Sequence, residues 1–421
     1  MLATLKNFAH ALSGSSIMQL ATLVSALIVS NMFGPLGLSK FGIVQTTITT
    51  IASVLPFGLG YTAINFMNKG QDDGLGLSVA SFVYQLCLIT SLASALILAL
   101  FSEFFSQQFF LDNNLSIYIT FAAIGLPFAT ITVIQYAILN GLQAYADMAK
   151  SSYISAFVTI IIVIVCAWSF GLKGTIIGFL LTIFIRAIIL QYLLDKYLNV
   201  KLSLPSIKVW RKIRSFAIPV GLAGLTMGPS TWYSNSLLIK YEGLEVQGIM
   251  MAALTIRMAI SFIPQQLSTV LLPKYLQSND EFISHELLRI FRYVALLGVT
   301  SLFLCLFVFT FRNYLITLFG NNFHADTKIM ALLLISVTLD AAATPFAHVH
   351  AKYERMWRFA LISSLPRDLF FLVICLNLIP IYGALGMAIA FSISSLICTV
   401  LVSASALTVI LKLGKKNERL Q

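Results

Sequence analysis

The chain has 421 residues, of which 58% are hydrophobic and only 10% are charged, and its formal charge is +11. Soluble domains carry about 25% charged residues, so this composition and a mean hydropathy of +0.90 exclude an ordinary soluble protein and indicate a multi-pass membrane protein. The five cysteines lie inside apolar runs without metal-binding spacing, so neither a disulfide framework nor a metal site is expected. No cofactor is expected either.

Apolar runs separated by polar or Gly- and Pro-containing clusters predict an all-α protein with about twelve transmembrane helices. A helix needs about 20 mostly apolar residues to cross the hydrocarbon core. The predicted spans lie near residues 11–33, 42–67, 78–101, 115–139, 152–170, 174–194, 216–239, 248–271, 293–311, 328–350, 360–379 and 383–411. The first apolar run is too long for a signal peptide, so we expect it to remain as a helix.

The basic residues are divided unevenly between the two sets of loops that these spans define. Twenty of the 27 Lys and Arg residues lie in one set and five in the other, while Arg186 and Arg257 lie inside spans. Because loops rich in Lys and Arg stay in the cytoplasm, both termini are predicted to be cytoplasmic. This pattern also accounts for the positive charge, so no nucleic-acid partner is expected.

The two halves of the chain resemble each other at a nearly fixed offset of 206 to 212 residues. The matching positions include Phe8 with Phe216, Gly42 with Gly248, Tyr145 with Tyr353, and Gly171 with Gly383. Each half holds an even number of spans, so the repeats should be parallel, related by an axis along the membrane normal. We therefore predict an N-terminal six-helix lobe over 1–195, a basic cytoplasmic linker over 196–215, and a C-terminal lobe with a basic tail over 216–421.

The eighth predicted span carries an arginine near its middle. At about 100° per residue, one face of this helix presents Arg257, Ser261, Gln265 and Ser268. A guanidinium at mid-bilayer costs at least about 2.5 kcal/mol, so this face must look into protein or a watery cavity. Arg257 is therefore a candidate substrate-binding residue. The alternative is a structural arginine that pairs with a buried acid.

Asp340 is the only acid near the middle of any predicted span. It is either the partner of Arg257 or the binding position of a coupling ion. Arg186, in the sixth span, is a second intramembrane cation, although it lies near enough to the cytoplasmic end to snorkel to the interface. Polar stripes on the first, second and seventh spans predict a shared polar lumen or, alternatively, ordinary helix packing, and they include Gln19, Gln45 and Tyr233.

The sequence contains no motif for covalent chemistry and no large loop that could form a catalytic domain. An enzyme is therefore not expected. A chain with many spans and no nucleotide-hydrolysing domain is most simply a secondary transporter.

Several short segments carry a resemblance to a known family, namely Phe33-Gly34-Pro35, Phe41-Gly42, Leu139-Asn-Gly-Leu142, Phe216-Ala-Ile-Pro219, the stretch from Gly248 to Tyr275, and Tyr382-Gly-Ala-Leu-Gly386. In these segments the chain resembles the bacterial polysaccharide (O-antigen type) flippases of the multidrug/oligosaccharidyl-lipid/polysaccharide exporter superfamily. The resemblance implies two lobes of six helices around a central cavity in the bacterial inner membrane. It also implies that a polyprenyl-diphosphate-linked oligosaccharide moves from the cytoplasmic to the periplasmic leaflet by alternating access.

Further expectations follow from this resemblance. Cationic cavity residues would bind the diphosphate, a role that best fits Arg257, with Arg186 as a second cation; a guanidinium can bind phosphate through two parallel hydrogen bonds. The sugar hydroxyls would contact Gln19, Gln45, Ser261, Gln265 and Tyr233. Asp340 would carry the coupling ion, a proton or sodium, and a polysaccharide polymerase involved in lipopolysaccharide biosynthesis would be a partner.

Two other functions remain open at this point. A cation-coupled multidrug antiporter of the same superfamily would often carry an acid in its first helix, and the first span has none. A membrane polysaccharide polymerase or ligase should have a large arginine-bearing periplasmic loop, which the sequence does not show. The glycolipid flippase is therefore the favoured interpretation.

Overall fold

The computed structural model describes residues 2–60, 63, 75–197, 221, 227–276, 283–324, 326–353 and 355–418. All regular secondary structure within these ranges is helical. The predicted linker lies outside the described residues except for positions 196 and 197, so it stays a prediction. The segment from Phe216 to Pro219 also lies outside them.

Eleven α-helices and three short π or 3-10 segments follow one another along the described chain. They are α1 (Leu2–Val54), α2 (Leu75–Leu100), α3 (Ser102–Phe105), a π-helix (Ser106–Phe110), a 3-10 turn (Asn113–Leu115), α4 (Ser116–Gly141), α5 (Tyr145–Leu194), α6 (Met227–Leu276), α7 (Ile283–Thr310), α8 (Arg312–Thr317), α9 (Thr327–Lys352), α10 (Met356–Phe359), a second π-helix (Ala360–Ser364) and α11 (Leu365–Glu418). Eight of the helical stretches are long and apolar enough to cross a membrane.

Four of these eight, α1, α5, α6 and α11, are between 50 and 54 residues long. A straight helix of 50 residues would measure about 75 Å, far more than the roughly 30 Å of a hydrocarbon core. Each of the four is broken at one glycine with non-helical dihedral angles, namely Gly34 (φ 66°), Gly171 (φ 62°), Gly243 (φ 85°) or Gly383 (φ 55°). Only glycine reaches positive φ without a steric cost, so each long helix consists of two helices joined at that residue.

The elements recur in the same order in the second part of the chain. The same series occurs twice: a broken helix, a helix of 26 to 28 residues, a short helix, a 26-residue helix and a second broken helix. The break glycines Gly34 and Gly243 are 209 residues apart, and Gly171 and Gly383 are 212 apart. This recurrence agrees with the sequence offset, while the superposition of two repeats stays a prediction.

The chain forms two compact units, residues 1–248 and 249–421. In the first unit an apolar core lies among α2, α4 and α5, and it includes Val83, Cys87, Ile138 and Leu190. In the second unit the corresponding core joins α6, α7, α9 and α11, and it includes Tyr275, Ile290, Val349 and Ala406. The first part of α6 belongs to the first unit, so the boundary between the units lies at residue 248. The predicted lobes have their boundary at the linker over 196–215, and these lobes remain a prediction.

The first part of α6 packs against α1 inside the first unit. The indole Nε1 of Trp232 donates a hydrogen bond to the Thr47 hydroxyl at 2.8 Å. Gly248 lies so close to Pro35 that an added Cβ would be 2.0 Å from the Pro35 carbonyl oxygen. The rings of Phe109 and Phe110 contact the Trp232 ring edge to face. Hydrogen bonding, backbone packing and ring contacts therefore fix this part of α6 to its neighbours.

Candidate functional site

The first unit contains a cavity of about 310 Å³ between α1, α4 and α5. Polar side chains from all three helices line it. They are Thr22, Ser25, Gln45, Thr49 and Ser53 from α1, Thr132 from α4, and Thr159, Thr182 and Arg186 from α5. Apolar lining comes mainly from Met18, Phe41, Ile48, Val133, Phe179 and Ile183. The cavity is thus a mixed polar and apolar site within the first unit.

Helical periodicity places these polar groups on the cavity wall. Gln45, Thr49 and Ser53 follow one another at steps of four residues, and Thr182 precedes Arg186 by the same step. The hydroxyl of Thr49 donates to its own helix at the Gln45 carbonyl oxygen (2.9 Å), as does Thr182 to the Phe179 carbonyl (2.7 Å). A hydroxyl that has donated its proton still has oxygen lone pairs, so this wall can accept hydrogen bonds from a ligand.

Arg186 is the one charged side chain among the described residues that line the cavity. It makes no ion pair with any carboxylate in the described part of the chain, and its buried Nε has no hydrogen-bond partner there. Its Cζ lies 4.8 Å from the centre of the Tyr136 ring, and the Tyr136 hydroxyl forms a short hydrogen bond with Ser152. The structure therefore places Arg186 in a cavity wall, where no carboxylate of the described residues pairs with it.

Arg257 occupies a different environment in the second unit. Its Nη2 donates to Asp340 Oδ2 at 2.8 Å, its Nε donates to Ser336 Oγ at 2.9 Å, and its Cζ lies 4.8 Å from the centre of the Phe391 ring. The Arg257 side chain is 12% exposed and that of Asp340 is 40% exposed. The structure thus shows the pairing of arginine with an intramembrane acid that the sequence left as one of two alternatives.

The other predicted site residues are distributed over both units. Ser261 donates to the Arg257 carbonyl oxygen at 2.8 Å, and Gln265, two turns along the same helix, is exposed. Gln19 is half-buried on α1 but outside the cavity lining, while the Tyr233 ring contacts Phe109. Of the predicted residues, the structure brings only Gln45 and Arg186 together in the cavity.

Some cavity residues were not predicted. Thr182 lies one turn before Arg186, so a helical-face argument like the one applied to Arg257 could have found it. Thr132 lies in the fourth predicted span and Thr159 in the fifth, so no local pattern connects either residue with Arg186 in the sixth. Among the described residues, no group of three or more His, Cys, Asp or Glu is placed to hold a metal ion.

Solved transporters of the MOP superfamily share this fold. An inward-facing multidrug resistance MATE family transporter matches with 17% identity and a TM-score of 0.76, over 96% of this chain and 99% of that one. A eukaryotic MATE transporter matches with 16% identity and a TM-score of 0.73, over 100% and 99%. A transporter from Pyrococcus furiosus, for which a binding pocket of reverse polarity is described, matches with 16% identity and a TM-score of 0.70, over 96% and 95%.

The fold is thus the one that solved MOP superfamily transporters have, and eight of its helices are long and apolar enough to cross a membrane. Residues 4–278 match the family model described as "Polysaccharide biosynthesis protein", and the chain belongs to this family. A search of curated protein sequences gave no match. The resemblance inferred from sequence motifs is therefore confirmed, and the structural relatives are transporters rather than enzymes.

Proposed function

We propose that this protein is a flippase that moves a polyprenyl-diphosphate-linked oligosaccharide, such as an O-antigen repeat unit, from the cytoplasmic to the periplasmic leaflet of the bacterial inner membrane. Membership of a polysaccharide biosynthesis family supports a glycan substrate. The observation that carries the proposal is the cavity in which Arg186 is the one charged lining residue among those described. A single positive charge without a nearby acid attracts an anionic diphosphate and repels a cationic drug.

The remaining cavity wall suits the polar head of such a substrate. Gln45 can donate to and accept from sugar hydroxyls, and the serine and threonine oxygens can accept from them. At about 310 Å³ the cavity is at the small end of ligand pockets, which are typically about 300–1,000 Å³. It therefore fits the diphosphate and adjoining sugar, with the rest of the glycan and the prenyl chain outside it.

The proposal includes twelve membrane crossings, because each of the four broken helices would cross twice. Large aromatic side chains beside two of the breaks support this: Trp168 and Phe170 near Gly171 are exposed, as is Tyr382 beside Gly383. Aromatic residues concentrate where a membrane meets water. The proposed architecture has two parallel six-helix repeats, which form lobes over 1–195 and 216–421 joined by a basic linker over 196–215. In this proposal both termini lie in the cytoplasm.

Arg257 and Asp340 have linked roles in the proposed cycle. Arg257 would bind the substrate diphosphate in a step in which a phosphate replaces Asp340 as its partner, and Asp340 would meanwhile take up the coupling ion, a proton or sodium. The 40% exposure of Asp340 leaves its carboxylate open to such an exchange. Gln19, Ser261, Gln265 and Tyr233 would be further substrate contacts, and a polysaccharide polymerase would receive the product.

The test is a flipping assay with the full-length protein in liposomes. A fluorescent polyprenyl-diphosphate-linked sugar is compared with a cationic dye, and accessibility to a membrane-impermeant quencher is followed over time. We expect the sugar lipid to change leaflet and the dye to stay. Dye transport without glycolipid movement would instead identify a multidrug antiporter; the MATE relative is described as a multidrug resistance transporter. An increase in glycan length would identify a polymerase or ligase.

A further inference from the structure

We infer that Arg355 and Arg358, in the second unit, form a binding site for the headgroup of an anionic phospholipid. The two arginines lie between the predicted spans over 328–350 and 360–379, so they meet the headgroup layer of one leaflet. The ligand is a lipid of the surrounding bilayer and not the transported substrate. The inference therefore does not depend on the proposed flippase activity.

Arg358 is held in place by two neutral hydroxyl groups of α11. Its Nε donates a hydrogen bond to Ser405 Oγ at 3.2 Å, and its Nη2 donates to Thr408 Oγ1 at 2.7 Å. Ser405 is buried and Thr408 is exposed, so the guanidinium lies at the edge of the helix packing. Within the described residues no carboxylate pairs with Arg358, and its Nη1 makes no hydrogen bond. These contacts orient the guanidinium and leave both its charge and one nitrogen for an anionic oxygen.

Arg355 brings a second positive charge to the same face. The Arg358 backbone N–H donates to the Arg355 carbonyl oxygen at 3.0 Å, so the two residues are one helical turn apart. Side chains at this spacing are neighbours, and two like charges there repel each other. Both guanidinium groups are near enough to His350 to interact with it electrostatically. In the described part of the chain no acid pairs with Arg355, so an external anion between the two arginines would relieve their repulsion.

The first unit shows the same positions with the charge compensated. At an offset of 208 residues, within the range that relates the two halves, Arg355 corresponds to Asp147 and Arg358 corresponds to Lys150. The Lys150 Nζ lies 3.9 Å from Asp147 Oδ1, so the lysine has an acid of the protein as its counter-ion. In the second unit an arginine occupies the position of that acid. This difference removes the internal counter-ion and leaves two cations at the membrane surface.

The side chains around the two arginines suit the boundary between headgroups and acyl chains. Trp357 lies between them in sequence and is 45% exposed, and Leu361 and Ile362 of the following π-helix are also exposed. Tryptophan concentrates at headgroup level, and each cation near the membrane surface strengthens the binding of an anionic lipid by about fivefold. A phospholipid with an anionic headgroup therefore fits the arginines with its phosphate and the apolar side chains with its acyl chains. A zwitterionic headgroup adds an ammonium group that the second arginine repels.

The test is native mass spectrometry of the purified full-length protein in detergent, titrated with phosphatidylglycerol or with phosphatidylcholine of the same acyl chains. The protein should bind the first phosphatidylglycerol at least about fivefold more tightly than the first phosphatidylcholine. Arg358→Gln should weaken phosphatidylglycerol binding by about three- to fivefold and leave phosphatidylcholine binding unchanged. A photoreactive phosphatidylglycerol should form cross-links within residues 355–362.

Two further variants separate a built site from general surface charge. Arg355→Asp introduces the acid that the first unit has, so it should abolish the preference for phosphatidylglycerol while the Arg358 hydrogen bonds to Ser405 and Thr408 remain. This variant also keeps the test possible if Arg358→Gln fails to fold. Lys150→Gln is the matched control, because it removes the same net charge from the corresponding position of the first unit. It should stay within about twofold of the unmodified protein.

Size-exclusion profiles and thermal unfolding establish that each variant is folded. Equal affinities of the unmodified protein for the two lipids would overturn the site. So would a preference for phosphatidylglycerol that persists in folded Arg358→Gln or Arg355→Asp protein. Equal losses in Arg358→Gln and Lys150→Gln would show that only the total charge of the protein matters, and this result too would reject the inference.

Discussion

Variants of Arg257 and Asp340 can distinguish a role of this ion pair in substrate binding from a role in folding. Removing either charge leaves the other uncompensated in a membrane-spanning helix, and the single variants Arg257→Ala and Asp340→Asn should both lower the unfolding temperature. In the double variant, Arg257→Ala/Asp340→Asn, both charges are removed and neither is left without a partner. Its stability loss should therefore be smaller than the two single losses combined, by about 1–3 kcal/mol, measured by thermal unfolding in detergent.

Transport by the same variants tests whether Arg257 also binds the substrate. If Arg257 binds the substrate, the double variant Arg257→Ala/Asp340→Asn should be stable but still inactive in the flipping assay, since removing an acid cannot replace a phosphate-binding cation. Recovery of full transport by this double variant would show that the arginine serves only to compensate Asp340. Additive stability losses would show that the two side chains do not interact as the 2.8 Å separation indicates.

At the scale of the helices, the contact between Gly248 on α6 and Pro35 on α1 leaves no room for a side chain. An alanine Cβ would lie 2.0 Å from the Pro35 carbonyl oxygen and 2.6 Å from its carbonyl carbon, and backbone atoms cannot move aside as a flexible side chain can. Gly248→Ala should therefore force the two helices apart and destabilise the protein by about 1–3 kcal/mol, seen as a lower unfolding temperature.

Gly298 on α7 provides the control, because within the described part of the chain no atom beyond its chain neighbours and its own helical backbone lies within 4 Å of an added Cβ. Gly298→Ala should be neutral or stabilising by up to about 1 kcal/mol, since alanine favours the helix. Equal unfolding temperatures for the two alanine variants would mean that the close approach of α6 to α1 is not needed for stability.

Sequence predicted the helices better than it predicted the site. The break glycines Gly34, Gly171, Gly243 and Gly383 fall at or beside gaps between predicted spans, because local chemistry decides both the end of an apolar run and a positive φ. The cavity depends instead on which helices pack together. Arg186 and Tyr136 are 50 positions apart in sequence. Only tertiary packing reveals that one intramembrane arginine faces a carboxylate and another faces a phenol.

For the whole molecule, orientation in the membrane follows from the distribution of Lys and Arg. The C-terminus should be cytoplasmic, whereas Lys240, close to the break at Gly243, should be periplasmic. In intact cells a membrane-impermeant thiol reagent should label Lys240→Cys and should label Gln421→Cys only after permeabilisation. Four of the five native cysteines are buried, which limits background labelling. Labelling of both variants from outside would contradict the predicted topology.

The aromatic contacts of α6 have an optical consequence. The sequence has four tryptophans; Trp168 is 79% exposed and Trp357 45% exposed, while Trp210 lies outside the described residues. Trp232 differs from the two exposed ones, because its indole N–H is hydrogen-bonded to Thr47 and its ring is flanked by Phe109 and Phe110. Indole emission responds to polarity and hydrogen bonding. The chain thus contains a native fluorophore at the contact between α6 and α1. The emission wavelength of Trp232 would report separation of those helices without any attached dye.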